Sequence, residues 1–445
     1  MTESNFQAIG DKRFRNIPET EDLIKQVGER VDAEGAVHVI RNLKNVAFII
    51  IRTFRDKFQV VLDGENLKML DQIQEGDFVR VRGNVVESRA AYKGVEVRAE
   101  EVERLSGPKE QLPIKLGSKK LDMNLNTKLD ERVLTLRHLN ERAIFKLQEG
   151  VVRAFLEYLQ GNGFTEIHSP KLVEAGAEGG ANIFSLDYFG RKAFLGQSPQ
   201  FYKQFMVPVF GRVCEVGPAF RAEKHNTSRH INEYTSLDYE MGYIDSFRDI
   251  MSMEVGFLKH MIKMLKVHYA HELELLNVSL PEIDQIPCMR FDEAKRTISQ
   301  HFGREIKDEH DIEPEEERLM SQYAAEEFGS EFLFVTNYPW KKRPFYTMRS
   351  PGDEDYTESF DLLFRGIEVT TGGQRIHDYD KQVQAMRDKG LEPDDFGEYL
   401  KLHKHGTPPH GGLGIGSERL LMKILNRQNI RESTLFPRDT SRLTP

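Results

Sequence analysis

The first quarter of the chain is patterned with a short period. The runs "GAVHVIRNL", "VAFIIIRTF", "KFQVVLDG", "DFVRVRGNVVES" and "GVEVRAEEVERL" are rich in β-branched and aromatic residues. Turn signals such as Asp63-Gly64 and Glu75-Gly76 separate them. Runs of this length and spacing predict about five strands between residues 23 and 105. In "VAFIIIR" the positions of both phases are apolar, so alternation does not say which side chains point inward.

Five short strands at this spacing fit a small barrel of the OB type, and residues 1–105 are taken as one domain. A β-barrel with no ligand is the other reading. Residues 106–140 change character: Pro, Gly and five lysines occur with weak periodicity, which predicts a linker or hinge. From residue 141 the period lengthens. Ile144, Phe145, Leu147, Val151, Val152, Phe155, Leu156 and Leu159 recur at helical spacing, and Gly161 and Gly163 close the helix. Strands and helices then alternate irregularly to residue 445, with glycines concentrated at 176–180, 366–373 and 406–416. This predicts an α+β fold in which residues 141–445 form a large domain on a mostly antiparallel sheet.

Composition narrows the class. A chain of 445 residues with 39% hydrophobic and 30% charged residues can bury a large core in at least two domains. Mean hydropathy is −0.53, and no apolar run approaches the ~20 residues that span a bilayer, so no membrane association is expected. The polar start "MTESNFQAIGDKRFRN" lacks the apolar core of a signal peptide. Cys214 and Cys288 form no CxxC pair, which argues against a zinc site or disulfide framework and for a cytoplasmic setting. The net charge of −9 leaves room for a local basic face that meets phosphates.

Candidate chemistry falls in four stretches. "FLGQSPQFYKQ" places Gln200 and Lys203 three residues apart. "GPAFRAEKHNTSRHINEYTSLDYEMGY" crowds Arg221, Glu223, His225, Arg229 and His230 into a hairpin and its loop. An arginine fork suits a phosphate, although a solvated charged hairpin reads the same way. "SFDLLFRGIEVTTGGQRIHDYD" sets Asp361 and Glu368 about a turn at Arg365-Gly366, so that they face one another from neighbouring strands. Two such carboxylates suit Mg²⁺ carrying substrate phosphates, or a purely structural pair. "HGTPPHGGLGIGSERLLMKIL" runs a glycine-rich strand into an amphipathic helix bearing Arg419, and it matches neither a P-loop nor a dinucleotide fingerprint.

Taken in order, these stretches resemble motifs 1, 2 and 3 of the class II aminoacyl-tRNA synthetases, with an anticodon-binding OB domain first. "QSPQFYKQ", "FRAEKHNTSRHINEYTSLDYEM", "FDLLFRGIEVTTGGQRIHDYD" and "GGLGIGSERLLMKILNRQNIRESTLFPRD" look most like aspartyl-tRNA synthetases of the compact archaeal and eukaryotic kind. The resemblance implies activation of L-aspartate by ATP and transfer to the 3′ end of tRNA-Asp. It places Arg221 on the α-phosphate and Arg419 at the γ-phosphate end of a bent ATP. Glu223 and Tyr234 then lie at the adenine, His230 near phosphate, and Asp361 and Glu368 on Mg²⁺, with Arg221, Arg419 and Glu368 as the catalytic set. Lys203 and Arg375 converge on the substrate side-chain carboxylate. Ser198, Gln200 and Asp238 orient the amino acid, and Glu178 sits on a loop that closes over it. Pro170 resembles the motif 1 proline of a homodimer interface. On the barrel, His38, Phe48, Gln59 and Arg89 match positions that meet anticodon bases.

Departures matter for tRNA choice. Gly35-Ala36 stands where the family often has Gly-Trp, and His38 resembles relaxed enzymes that charge both tRNA-Asp and tRNA-Asn with aspartate. Ser88 and Arg89 match neither type. The nearest alternative is asparaginyl-tRNA synthetase, which shares the fold and the arginine of "GGQR" but replaces the lysine at position 203. Two remoter alternatives are an asparagine synthetase on the same core, disfavoured by the barrel, and a non-catalytic tRNA-binding paralogue, disfavoured by the intact motif arginines and metal carboxylates.

Overall fold

The computed structural model describes residues 17–118, 120–174 and 182–445. They divide into two compact units, 1–141 and 142–445.

The N-terminal unit is a closed barrel of five strands: β1 Arg30–Leu43, β2 Val46–Arg52, β3 Lys57–Asp63, β4 Phe78–Glu87 and β5 Val95–Ser106. The long β1 pairs through its first half with β4 and through its second half with β2, and a bulge lies between Val37 and Val39. β3 and β5 close the barrel in parallel. In β2 the phase undecided by sequence is settled: Ala47, Ile49 and Ile51 are buried in the core, while Phe48 and Ile50 face outward. Residues 106–140, expected as a hinge, fall within the same compact unit as the barrel. Ile114, Leu116 and Leu129 are buried. Arg132 and Lys128 both pair with Glu141, at 3.3 and 2.9 Å. Apolar positions too few to show periodicity still suffice to hold the segment down.

The second unit is built on eight strands. These are β6 Thr165–Glu166, β7 Arg212–Phe220, β8 Glu233–Gly242, β9 Cys288–Arg290, β10 Phe332–Thr336, β11 Ser359–Phe364, β12 Ile367–Arg375 and β13 His410–Gly416. Their order is β9-β10-β11-β12-β13-β8-β7-β6, and only the outer pairs β9/β10 and β7/β6 are parallel. The helices used below are α1 Leu139–Gly161, α2 Gln200–Phe210, α3 Phe247–His268, α4 Pro314–Phe328 and α5 Ser417–Ile424.

One face of the sheet carries the core. Leu237, Tyr239 and Met241 of β8, Phe360, Leu362 and Phe364 of β11, and Leu413 and Ile415 of β13 join side chains of α1 and α3. The two helices approach closely because each has a glycine at the contact. A Cβ on Gly150 would lie 2.6 Å from Leu265, and one on Gly256 would lie 1.8 Å from the Tyr158 hydroxyl. The opposite face of the central strands is polar, because successive side chains of a strand point to opposite sides. That face carries the site.

Candidate active site

The four chemical stretches of the sequence converge on a cavity of about 390 Å³ over the centre of the sheet. In β8 the sequence Ser-Leu-Asp-Tyr-Glu sends Leu237 and Tyr239 into the core and Ser236, Asp238 and Glu240 to the cavity side. In β13 the alternation Gly-Leu-Gly-Ile-Gly does the same, and the face turned to the cavity is glycine alone. Asp238 pairs with Gly414, which pairs with Thr371, which pairs with Asp361, in one row across four strands. The glycines leave the middle of the floor open. A Cβ on Gly412 would lie 2.0 Å from the Tyr239 carbonyl and 2.3 Å from Glu240 Oε2.

At one end of the cavity α2 lowers Gln200 and Lys203 onto this floor. Lys203 is 2% exposed. Its Nζ donates to Asp238 Oδ1 at 3.0 Å and to the Leu413 carbonyl at 2.9 Å, and it lies 3.5 Å from Glu240. Arg375, at the end of β12, donates from Nε to Glu240 at 2.9 Å and from Nη2 to the Gly412 carbonyl at 2.9 Å and to Gln200 at 3.4 Å. The two cations expected around a substrate carboxylate therefore do meet, and a protein carboxylate, Glu240, lies between them. Burial acts to raise the Glu240 pKa, but Arg375 and Lys203 outweigh it and hold the group below the usual carboxylate range. Glu240 was missed in the sequence, although its place two residues beyond Asp238 was the available signal. Ser198 Oγ accepts the Gln200 amide at 3.3 Å.

The other end of the cavity gathers Arg221, Glu223, Arg229, His230, Tyr234, Glu368 and Arg419. Arg221 lies over the Tyr234 ring, 5.9 Å from its centroid, and His230 is 3.7 Å from Glu223. Burial lowers the His230 pKa. Glu223 opposes this, while Arg419, Arg229 and Arg221 add to it. Arg419, in the first turn of α5, donates to the Glu368 carbonyl at 3.1 Å.

Asp361 and Glu368 stand on the β11–β12 hairpin as expected, but they are not cross-strand partners: Asp361 pairs with Thr371 and Glu368 with Leu363. Arg365 and Gly366 both have positive φ, 47° and 83°, as a tight hairpin turn requires. The ladder shifts between Leu362 and Leu363, so Glu368 and Thr371, three residues apart, share one face. Thr371 donates to Glu368 at 2.9 Å. Asp361 is not in the cavity wall but just beneath it, 5% exposed, 2.8 Å from the guanidinium of Arg343. Burial pushes its carboxyl up to about 6; Arg343 opposes the shift and Glu368 adds to it. Glu368 is held low: burial acts to raise it, and Arg419, Thr371 and Arg343 outweigh that. Asp361 Oδ1 is buried and is the oxygen that meets Arg343 Nη2. Among the described residues no set of three or more His, Cys, Asp or Glu side chains surrounds a metal position. The two carboxylates offer the oxygen donors that Mg²⁺ would take.

Arg343 had no local signal. It is the third cation of "WKKR" between two prolines, and only the fold separates it from Lys341 and Lys342 by stacking it on Tyr338, 3.9 Å from the ring centroid. Glu178 lies outside the described residues.

On the barrel, Phe48 is half-exposed on the outer face of β2, opposite Val61. Gln59 shares that face and donates to Glu96 at 2.9 Å. Arg89 is exposed in the turn between β4 and β5. His38 is only 9% exposed, with Nδ1 buried and without a hydrogen bond. Burial, with Arg52, Lys57 and His138, takes its pKa down to about 4.

Comparison with known proteins agrees with this architecture. Residues 124–440 match the family of tRNA synthetases class II (D, K and N), and residues 31–105 match the OB-fold nucleic acid binding domain. The chain is 45% identical to the aspartate–tRNA(Asp/Asn) ligase of Thermus thermophilus, over 95% of this chain and 99% of that one. It is 44% identical to the aspartate–tRNA(Asp/Asn) ligase of Aeropyrum pernix, over 94% and 96%. Among solved structures it resembles asparaginyl-tRNA synthetase from Pyrococcus horikoshii complexed with asparaginyl-adenylate, with 29% identity, a TM-score of 0.89 and coverage of 97% and 100%. With its barrel, its eight-stranded sheet and this cavity, the chain belongs to the class II tRNA synthetases of the D, K and N group.

Proposed function

We propose that the protein is a cytoplasmic aspartate–tRNA ligase that forms aspartyl-adenylate from L-aspartate and ATP and passes the aspartyl group to the 3′ end of both tRNA-Asp and tRNA-Asn. The observation that carries the amino-acid assignment is the placement of Lys203 and Arg375, both buried, at one end of the cavity floor. A substrate carboxylate there would share these two cations with Asp238 and Glu240, and it is favoured over a neutral amide because a charged hydrogen bond is about twice as strong as a neutral one. Asp238 supplies the opposite charge for the α-ammonium, and Gln200 and Ser198 complete the amino-acid half.

The reaction brings the α-carboxylate of aspartate against an α-phosphate that already carries negative charge. Arg221 neutralises that charge and holds both groups in line, Arg419 takes the distal phosphates, and Tyr234 and Glu223 take the adenine. His230 completes the phosphate end. Asp361 and Glu368 are the residues that would hold Mg²⁺, which when bound neutralises phosphate charge.

The barrel is read as the anticodon reader. Phe48 offers a stacking face and Gln59 a polar edge beside it, with Arg89 at the adjoining turn. His38 is the position at which relaxed specificity is proposed, and two relatives named for both tRNAs support that reading. A homodimer is proposed from a second depression of about 950 Å³ that runs along α1. It is lined by Phe145, Val152 and Leu156 together with Leu435 and Phe436, and Pro170 is exposed.

The structural likeness to an asparaginyl enzyme makes asparagine the competing substrate. Charging separate tRNA-Asp and tRNA-Asn transcripts with labelled aspartate or labelled asparagine tests the whole reading. Aspartate on both is expected. Aspartate on tRNA-Asp alone removes the role given to His38, and transfer of asparagine alone removes the role given to Lys203.

A further inference from the structure

We propose that Glu317 is a positioning residue for the ATP half of the site, acting through the side chain of Arg229 and the main chain of Glu368. The inference rests on the reading above and deepens it. Glu317 belongs to none of the stretches that carry the family resemblance. It lies in the first turn of α4, and its side chain is 9% exposed. Its Oε2 receives the Arg229 Nη2 and, at 3.2 Å, the Glu368 N–H. One carboxylate therefore joins two groups that line the cavity and come from distant parts of the chain.

Both groups need such a partner. Arg229 lies in a stretch, residues 221–232, that has no helix or strand, so no regular backbone structure sets the direction of its side chain. Glu368 stands beside the bulge of the β11–β12 ladder. The base of Glu317 is itself fixed. Its neighbour Glu316 is fully buried, accepts from Lys295 at 2.6 Å and closes a capping box with Glu313. Lys295 also donates to the Asp308 carbonyl at 2.9 Å. The rigid end of α4 thereby presets a cation and a metal-side carboxylate that ATP would otherwise have to order on binding.

The test is aspartate-dependent ATP–pyrophosphate exchange by full-length wild type, Glu317→Gln and Glu317→Asp, with ATP and aspartate varied in turn and Tm recorded. Glu317→Gln keeps the shape but weakens a charged hydrogen bond, which corresponds to a rise in KM for ATP of roughly 10-fold or more. The KM for aspartate should stay within about twofold, because Glu317 touches nothing in that half. Glu317→Asp should recover part of the loss. In an Arg229→Gln background, Glu317→Gln should add less than it does alone, since part of its effect runs through Arg229. A KM for ATP at the wild-type value in Glu317→Gln overturns the proposal, as do equal losses for ATP and aspartate that track a fall in Tm. Absence of aspartate-dependent exchange in the wild type overturns the functional reading instead.

Discussion

Lys203→Met separates the amino-acid half of the cavity from the ATP half. The substitution keeps an unbranched chain of similar length and removes one buried charge. In the free enzyme that charge sits 3.0 Å from Asp238 and 3.5 Å from Glu240, and it also satisfies the Leu413 carbonyl. Removing one partner of a buried ion pair costs about 3–5 kcal/mol, much of it from the charge left uncompensated. Arg375 still holds Glu240 at 2.9 Å, so the uncompensated group is chiefly Asp238, which among the described residues keeps the Ser236 hydroxyl. With aspartate bound, the substrate carboxylate loses one of its two cations. A loss of the same size in the transition state is roughly 10²- to 10⁴-fold in kcat/KM for aspartate. The KM for ATP should change by less than about threefold, because the bonds of Lys203 run to Asp238 and the Leu413 carbonyl in the amino-acid half. Pyrophosphate exchange with aspartate and ATP varied separately reads both quantities, and a melting curve shows that the variant is folded. Near-normal aspartate kinetics in a folded variant would refute the assignment of Lys203 to the substrate carboxylate. An equal loss for both substrates would show that the two halves of the cavity do not act separately.

Phe48→Ala should raise the KM for tRNA by roughly 5- to 150-fold, the value of one stacked base at about 1–3 kcal/mol, and leave exchange unchanged; impaired exchange would make it a residue of the fold. Glu254 is fully buried on the core side of the sheet and accepts from Thr370 at 2.5 Å, and burial pushes its carboxyl from 4.5 up to about 8. A carboxyl whose pKa is raised by folding stabilises most below the unfolded value, so stability should fall as pH rises from about 4.5 to about 8, by at most about 5 kcal/mol. Glu254→Gln should therefore flatten Tm against pH across that window, and an unchanged slope would count against the assignment. Gly412→Ala should destabilise the sheet and lower kcat/KM for aspartate, since its methyl would collide with Glu240 and the Tyr239 carbonyl; wild-type kinetics would show that the floor can yield.

What the sequence determined by itself was what local patterning encodes. The short β runs specified a barrel, the 3.6-residue spacing from Ile144 to Leu159 specified α1, and the spacing of Arg365-Gly366 between two carboxylates specified a hairpin. The order of the glutamine–lysine stretch, the FRAE strand, the carboxylate hairpin and the glycine strand was enough to bring their residues to one site. Only the tertiary structure decided the phase of "VAFIIIR", because both faces are apolar and the inner one is chosen by pairing with β1 and β3. It also placed residues 106–140 with the barrel, where a few scattered apolar side chains act without any period. Within the site it supplied Glu240, Arg343 and Glu317. A charge has no periodicity of its own, and whether a Glu or an Arg is a solvated side chain or the buried partner of a catalytic group depends on what another strand, hundreds of residues away in some cases, places opposite it.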